Sequence, residues 1–405
     1  MPGGNESLAV GLSRVLFPIV ILLGISGIIV GILNTYDHFS VPALSPVFWN
    51  LAIVAGLVLG VPRTTSINAQ LYVYAFAILI ATFIQVFLPM PWLRGLERGE
   101  ERLQVVLDWR DPAVKKTLKL MLPVTLGLGL ININALIDVF FASRFIDPNL
   151  APTAIQKAFL VYMLPQGMFS VAIATVLFPT MSRLAARGDR DGFRHTVARG
   201  IRLITFTLLP AAAVSIVLAT PIIRILYQRH AWTPEQTPVT AACLAAFSVG
   251  LVFNGAMLML NRAFFSLQSN WIPTAVALGN LFLNAFLDYL FYPLGAWGIP
   301  LSTAFVNIAG ATALLIALRR ELGGLDGRRT LSSVARIALA SVATAGVAFA
   351  VWDPLDSLLG RTFIAQAVSL GLALALGVAA YLGASRLLRV RELDQLALWR
   401  RAVAG

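Results

Sequence analysis

The sequence predicts an all-α protein that crosses a membrane about eleven times. Its 405 residues are 58% hydrophobic and 12% charged, with a mean hydropathy of +0.80, whereas a soluble domain carries about 25% charged residues. The apolar runs reach the roughly 20 residues that a helix needs to cross the hydrocarbon core, and no window alternates in polarity as barrel strands do. In order along the chain, the predicted spans are 8–33, 43–62, 67–92, 118–142, 154–180, 203–226, 238–261, 272–293, 298–318, 331–352 and 363–385.

The basic residues indicate how these spans are oriented. When the links are assigned alternately to two sides, one side receives 24 of the 31 Lys and Arg residues, chiefly in 94–119, 183–202, 319–336 and 386–401. Such a bias predicts that these links and the C-terminus lie in the cytoplasm, and an odd number of spans then places the N-terminus outside. The net charge of +12 is therefore interpreted as topology, and we expect no nucleic-acid partner.

Two acidic residues lie inside predicted spans, where a charge costs a few kcal/mol and usually faces a cavity or a partner. They are Asp138 and Asp288. Asn280, Asn284 and Asp288 are spaced i, i+4, i+8 and therefore share one face of a helix. The pattern predicts a protein whose function lies in a polar interior.

Oxygen-bearing side chains on neighbouring spans are suited to a hard cation such as sodium. We predict the ligands Asp138, Asn284 and Asp288, with the Thr303 hydroxyl and the Ile299 carbonyl completing the shell. Two carboxylates this close cannot both stay ionised without a cation between them. The alternative is purely structural: Asp138 pairs with Lys157, and Asp288 lies near the outer surface.

Nothing in the sequence predicts an enzyme. No Ser/His/Asp set, His cluster or Gly-rich phosphate loop lies at a suitable depth. The single cysteine, Cys243, lies in a span, so neither a disulfide framework nor a cysteine-based metal site is expected. We also expect no covalent cofactor.

Three long segments resemble a known family. YMLPQGMFSVAIATVLFPTMSRLAARGDRDGFRHTVARGIRLITF resembles the central signature of the MurJ/MviN lipid II flippases of the MOP exporter superfamily. GILNTYDHFSVPALSPVFWN is similar to the family's fourth and fifth helices, and LNRAFFSLQSNWIP to its tenth-to-eleventh junction. The resemblance runs in order along nearly the whole chain.

The resemblance implies fourteen helices: two six-helix lobes around a cavity, and two further helices that form a groove for the lipid tail. The predicted spans correspond to helices four to fourteen, so we expect the first three helices, with their cavity arginines, to be absent. The implied domains are three helices of an N-terminal lobe (1–92), a cytoplasmic amphipathic linker (93–117), a six-helix C-terminal lobe (118–318), and two additional helices with a basic tail (319–405). Some members of the family bind sodium with residues that match the five predicted ligands.

The resemblance also bears on a phosphate site. Where the family often has Arg in its eighth helix, this chain has Leu160, and Lys157 lies one turn earlier. A cavity that carries a pyrophosphate needs positive charge, which predicts Lys157, Arg14 and Arg262 as substrate-binding residues. The alternatives are that Lys157 extends to the outer interface and that Arg262 is a topology charge. Ser269-Asn270 is a further departure, since many relatives have Asp-Thr there.

The predicted function is transport of lipid II, the undecaprenyl-pyrophosphate-linked disaccharide peptide, by alternating access in the bacterial cytoplasmic membrane. Lipid II and membrane lipids are the expected partners, and no oligomeric state is predicted. The expected absence of three helices predicts that the chain alone is incomplete as a flippase. The alternatives are another MOP exporter, such as a polysaccharide-unit flippase, and a non-transporting membrane fragment.

Overall fold

The computed structural model describes residues 3–36, 38, 40–93, 108, 110–229, 232–324 and 327–393, and within these ranges all regular structure is helical. The α-helices are α1 Gly3–Leu16, α2 Pro18–Thr35, α3 Ser40–Gly60, α4 Ile67–Phe87, α5 Met90–Leu93, α6 Pro112–Phe141, α7 Ala151–Pro165, α8 Ala172–Ala186, α9 Arg190–Val217, α10 Ala219–Tyr227, α11 Gln236–Val249, α12 Leu251–Ser266, α13 Trp271–Phe291, α14 Gly298–Glu321, α15 Gly327–Leu359 and α16 Phe363–Leu387. Two π-helical segments, Ala142–Ile146 and Gln166–Val171, follow α6 and α7.

Nine helical segments in the described part of the chain are long and apolar enough to cross a membrane, and ten if the bent pair α11 and α12 forms one span. These ten coincide with ten of the eleven predicted spans. The remaining predicted span, 118–142, falls almost entirely on α6, whose 30 residues extend about 45 Å at about 1.5 Å per residue. The structure confirms an all-α, membrane-spanning fold.

The helix that carries the predicted span 203–226 differs from the prediction at both ends. It begins at Arg190, because the carboxylate of Asp189 accepts a hydrogen bond from the Gly192 amide at 2.9 Å and caps the first turn. It ends at Val217, and α10 follows as a separate helix. Much of the basic link 183–202 is therefore helical.

The chain divides into two compact units, residues 1–109 and 110–405. The division falls inside the predicted linker 93–117. Residues 94–107 and 109 of that linker lie outside the described residues, so its predicted amphipathic character stays a prediction.

The second unit is built around one large hydrophobic core. Its largest fully buried side chains include Tyr162, Phe193 and Phe264. Helices α15 and α16 pack against each other and against α9 and α10, and the Tyr381 hydroxyl donates to the Phe206 carbonyl at 2.5 Å. Helix α13 packs against both α6 and α14, and this three-helix contact brings the predicted acidic residues together.

Candidate functional site

The carboxyl groups of Asp138 and Asp288 meet between α6 and α13. Asn284 and Asp288 lie one turn apart on α13 and are both fully buried, with 0% of their surface exposed. Asp138 reaches them from α6 across the helix interface. The Asn284 side chain is hydrogen-bonded to both carboxyl groups, so the structure places the three predicted side chains in one cluster.

Asn284 connects the two acids. Its Nδ2 donates to Asp138 Oδ1 at 2.7 Å and to Asp288 Oδ2 at 2.9 Å. Its Oδ1 is buried and has no hydrogen-bond partner in the described part of the chain. Such an unsatisfied acceptor is costly in a poorly solvated site, so this oxygen is available to a new ligand.

The hydroxyl that contacts the acids belongs to Ser302 rather than to the predicted Thr303. The Ser302 hydroxyl donates to Asp288 Oδ1 and also lies 2.9 Å from the Ile299 carbonyl. The Thr303 hydroxyl donates to the same carbonyl at 3.3 Å, and no described hydrogen bond joins it to either acid. The Ile299 carbonyl therefore lies next to the cluster, close to both hydroxyl oxygens.

The residues of this cluster fit a hard cation. They supply two carboxylates, the Ser302 hydroxyl and, after a half-turn of the amide about its last torsion, Asn284 Oδ1. Such a turn would exchange a donor that bridges the carboxylates for an oxygen ligand. Asn280, one turn deeper on α13, is not part of the set, since its Nδ2 lies against the backbone of Gly310 on α14.

Lys157 does not pair with Asp138, so the structural alternative considered for the two acids is wrong in this respect. The Lys157 ammonium lies 3.2 Å from the centroid of the Trp232 ring and 5.2 Å from that of Tyr227. The Tyr227 hydroxyl donates to the Lys157 carbonyl at 3.3 Å. Aromatic faces stabilise a cation without neutralising it, so Lys157 keeps a charge that an anionic group can still approach.

The other two predicted phosphate contacts lie elsewhere. The Arg262 guanidinium on α12 is half-buried, 5.3 Å from the ring centroid of Phe178 on α8. Arg14 belongs to the other unit, in the last turn of α1, where it lines a recess with Ala9, Val10, Ser13 and Phe17. Within the second unit, no described contact joins Lys157 to Arg262.

The structure adds two side chains to these sites that the sequence did not predict, Ser302 and Trp232. Ser302 precedes the predicted Thr303 directly, and its polar side chain in an apolar span was the available signal. Trp232 lies 75 residues after Lys157 in a short link, and nothing in the local sequence connects the two. The aromatic support of Lys157 therefore depends on tertiary packing alone.

Comparisons with known proteins identify the family of the chain. A family model described as "Lipid II flippase MurJ" matches residues 2–353. A probable lipid II flippase MurJ of Synechocystis sp. is 33% identical over 328 residues, which cover 80% of this chain and 61% of that protein. A probable lipid II flippase MurJ of Vibrio cholerae is 29% identical over 397 residues, covering 96% of this chain and 73% of that protein.

Two solved structures share the fold. A lipid II flippase MurJ in an inward closed conformation superposes with a TM-score of 0.72 at 22% identity, covering 93% of this chain and 73% of that one. An outward-facing MATE family transporter of the MOP superfamily gives 0.57 at 13% identity, covering 79% and 71%. The predicted MOP-type fold is confirmed. The family model matches most of the chain, and the chain therefore belongs to the lipid II flippase MurJ family.

Proposed function

We propose that this chain moves lipid II across the bacterial cytoplasmic membrane by alternating access. The observation that carries the proposal is the match to the family model over residues 2–353. The buried polar cluster supports it, because ionisable residues inside spanning helices usually serve substrate or ion pathways. The proposed topology has the C-terminus in the cytoplasm, as the distribution of basic residues predicts.

The acid cluster is proposed to bind sodium. Asp138, Asp288, Ser302 and the turned amide of Asn284 would hold the ion, with the Ile299 carbonyl beside them. The bound ion would supply the positive charge that allows both carboxylates to stay ionised. Moving one charge through 100 mV changes the free energy by about 2.3 kcal/mol, which is enough to bias the return of the empty transporter.

Lys157 is proposed to contact the pyrophosphate of the substrate. Its ammonium makes no ion pair with the described residues, and it is held in place by Trp232 and Tyr227. Charge-assisted hydrogen bonds to phosphate oxygens are stronger than neutral ones. On binding the substrate, the Lys157 ammonium would exchange its contact with the two aromatic rings for a stronger contact with a phosphate group.

Flipping in cells tests the transport proposal. A bacterium depleted of its own flippase would express either this chain or this chain joined to the part of the Vibrio cholerae relative that the match leaves uncovered. An externally added enzyme that cleaves the pyrophosphate of lipid II would then report how much lipid II has reached the outer face. Flipping by either form supports the proposal, whereas two well-expressed forms that leave lipid II inside would contradict it.

The role of Lys157 needs a matched comparison. Lys157→Gln should weaken the binding of lipid II to the purified chain about tenfold or more, since hydrogen bonds to charged groups contribute about 1.5–3 kcal/mol. Arg361→Gln removes the same charge from an exposed position on the same proposed side and should have little effect. Equal effects of the two variants would show that only net charge matters, and Lys157 would then have no specific contact.

A further inference from the structure

Two spans of the second unit are interrupted. The π-helical turn Gln166–Val171 separates α7 from α8. The pair α11 and α12 is bent by 44° at Gly250. The two interruptions lie more than 75 residues apart in sequence, yet α12, which begins directly after the bend, packs against the π-helical turn.

A chain of hydrogen bonds joins the interruptions. Gln166, the first residue of the π-helical turn, donates from Nε2 to Asn254 Oδ1 at 3.1 Å. Asn254, one turn beyond the bend, donates from Nδ2 to the Tyr162 hydroxyl at 2.7 Å. Side chains on the two interrupted spans therefore depend on one another's positions.

Two glycines allow the backbones to approach closely here. A Cβ on Gly250 would lie 2.7 Å from Ala304 Cα, in α14. A Cβ on Gly255 would lie 2.6 Å from the Ser170 hydroxyl, within the π-helical turn. Gly250 therefore lets the backbone of α14 approach the bend, and Gly255 leaves room for the Ser170 side chain, so a shift of either interruption would press on the segment beside it.

The hydrogen bonds of the π-helical turn each span one residue more than those of an α-helix. A change to α-helical hydrogen bonding would therefore rotate its side chains relative to α8. Gln166 Oε1 and Ser170 Oγ are buried there without a hydrogen-bond partner in the described chain. Unsatisfied buried groups favour any rearrangement that supplies partners, which makes this turn the place where the span is least firmly fixed.

We propose that the π-helical turn and the bend at Gly250 form a single hinge, in which Asn254 is the positioning residue that makes them open together. The hinge lets α8 and α12 tilt as a pair while the rest of the unit stays packed. Its use during transport rests on the proposed function. The linkage between the two interruptions does not depend on it.

Hydrogen exchange of backbone amides in the purified full chain tests this linkage without lipid II or sodium. Asn254→Leu should accelerate exchange at 166–171, and Gln166→Leu should accelerate exchange at 247–254. Each acceleration should be about tenfold, since a buried group that loses its partner costs about 1–3 kcal/mol and each tenfold change corresponds to about 1.4 kcal/mol. Tyr162→Phe leaves the Gln166–Asn254 bond in place and should give a smaller change at 166–171.

Ser248→Ala is the matched control. Ser248 is buried two residues before Gly250, but its hydroxyl donates only within its own helix, to the Leu244 carbonyl at 2.7 Å. This variant should leave exchange at 166–171 unchanged. If Asn254→Leu and Gln166→Leu each accelerate exchange only around the mutated residue, the interruptions are independent and the proposal is wrong. Unchanged exchange in α16, in the same unit but away from both interruptions, would show that a variant is folded, and Gln166→Leu decides the question should Asn254→Leu fail that check.

Discussion

Arg224 forms an ion pair with Asp356 across 132 residues of sequence, with its Nη1 atom 3.0 and 3.1 Å from the two carboxylate oxygens. Both side chains are mostly buried, with 13% and 14% exposed. A second pair joins Arg202 to the buried Glu392 at 2.9 Å. The Asp356 pair holds α15 against α10 near the turn between α15 and α16. The Glu392 pair holds the segment after α16 against α9, at the other end of this hairpin.

Asp356→Asn should lower the free energy of unfolding by about 3 kcal/mol, because it leaves the Arg224 charge buried without its partner. Replacing both residues, in Arg224→Met/Asp356→Leu, should cost less than the sum of the single changes. Asp191→Asn breaks the pair of Arg194 with an 84% exposed carboxylate and should cost less than about 1 kcal/mol. Unfolding in mixed micelles would measure all of these. An Asp356→Asn variant as stable as Asp191→Asn would show that the Arg224 pair does not fasten the hairpin.

Asp288→Asn should remove any stabilisation of the purified protein by sodium, because it deletes one of the two carboxylates proposed to bind the ion. The measurement is the difference in Tm between sodium chloride and choline chloride at matched ionic strength. Asn280→Ala changes the same helix face one turn away and should keep most of the difference. An unchanged wild-type Tm in the two salts would mean that there is no such site.

Ser302→Ala should reduce the sodium-dependent shift in Tm more than Thr303→Val does. The Ser302 hydroxyl contacts Asp288, whereas the Thr303 hydroxyl contacts only the Ile299 carbonyl among the described groups. Both substitutions remove one hydroxyl from adjacent positions of α14, so each is the control for the other. The reverse order of effects would show that the bound form uses Thr303, as the sequence alone predicted.

The sequence was sufficient to predict the cluster of Asp138, Asn284 and Asp288, but not which face of α14 is directed toward it. Asn284 and Asp288 are one turn apart, so their shared face follows from helix geometry, and charge within a span identifies Asp138. Ser302 and Thr303 are adjacent, and about 100° separates successive residues around a helix axis. Which hydroxyl faces the acids depends on the rotation of α14 in its packing, which no local pattern encodes.

The positions of the spans could be predicted from the sequence, whereas the break at Gly250 and the early start of α9 could not. Hydropathy and length locate a helix such as α13 within a few residues. The break at Gly250 depends on how closely α14 approaches, and the early start of α9 depends on the Asp189 cap inside a charged link. The partners Arg202 and Glu392 are 190 residues apart, and only the fold brings them together.

Gly250→Ala should destabilise the protein by about 1–3 kcal/mol, because the new methyl group would lie 2.7 Å from Ala304 Cα and must displace the backbone of α14. Gly279→Ala is the control, since nothing lies within 4 Å of its Cβ position. That change should be neutral or stabilise the exposed helix by up to about 1 kcal/mol. The measurement is the free energy of unfolding of the two variants under the same conditions. Equal values would contradict the close packing at the bend.

Reporter fusions should place residues 110, 190 and 325 in the cytoplasm and residues 148, 232 and 356 outside. The reason is the excess of Lys and Arg in the first group of links. Pairs of fusions on either side of one span provide internal controls. A cytoplasmic signal at residue 232 would overturn the assignment and would also move the Lys157–Trp232 contact to the inner face.

The bend at Gly250 has a consequence for biogenesis. Helix α11 has 14 residues and α12 has 16, so each extends only about 21–24 Å at about 1.5 Å per residue, against a hydrocarbon core of about 30 Å. Neither half is long enough to cross alone, and we expect the insertion machinery to release both into the lipid as one segment. A ribosome stalled before residue 251 would leave α11 unable to span, and the orientation of the downstream helices would be set only once α12 emerges.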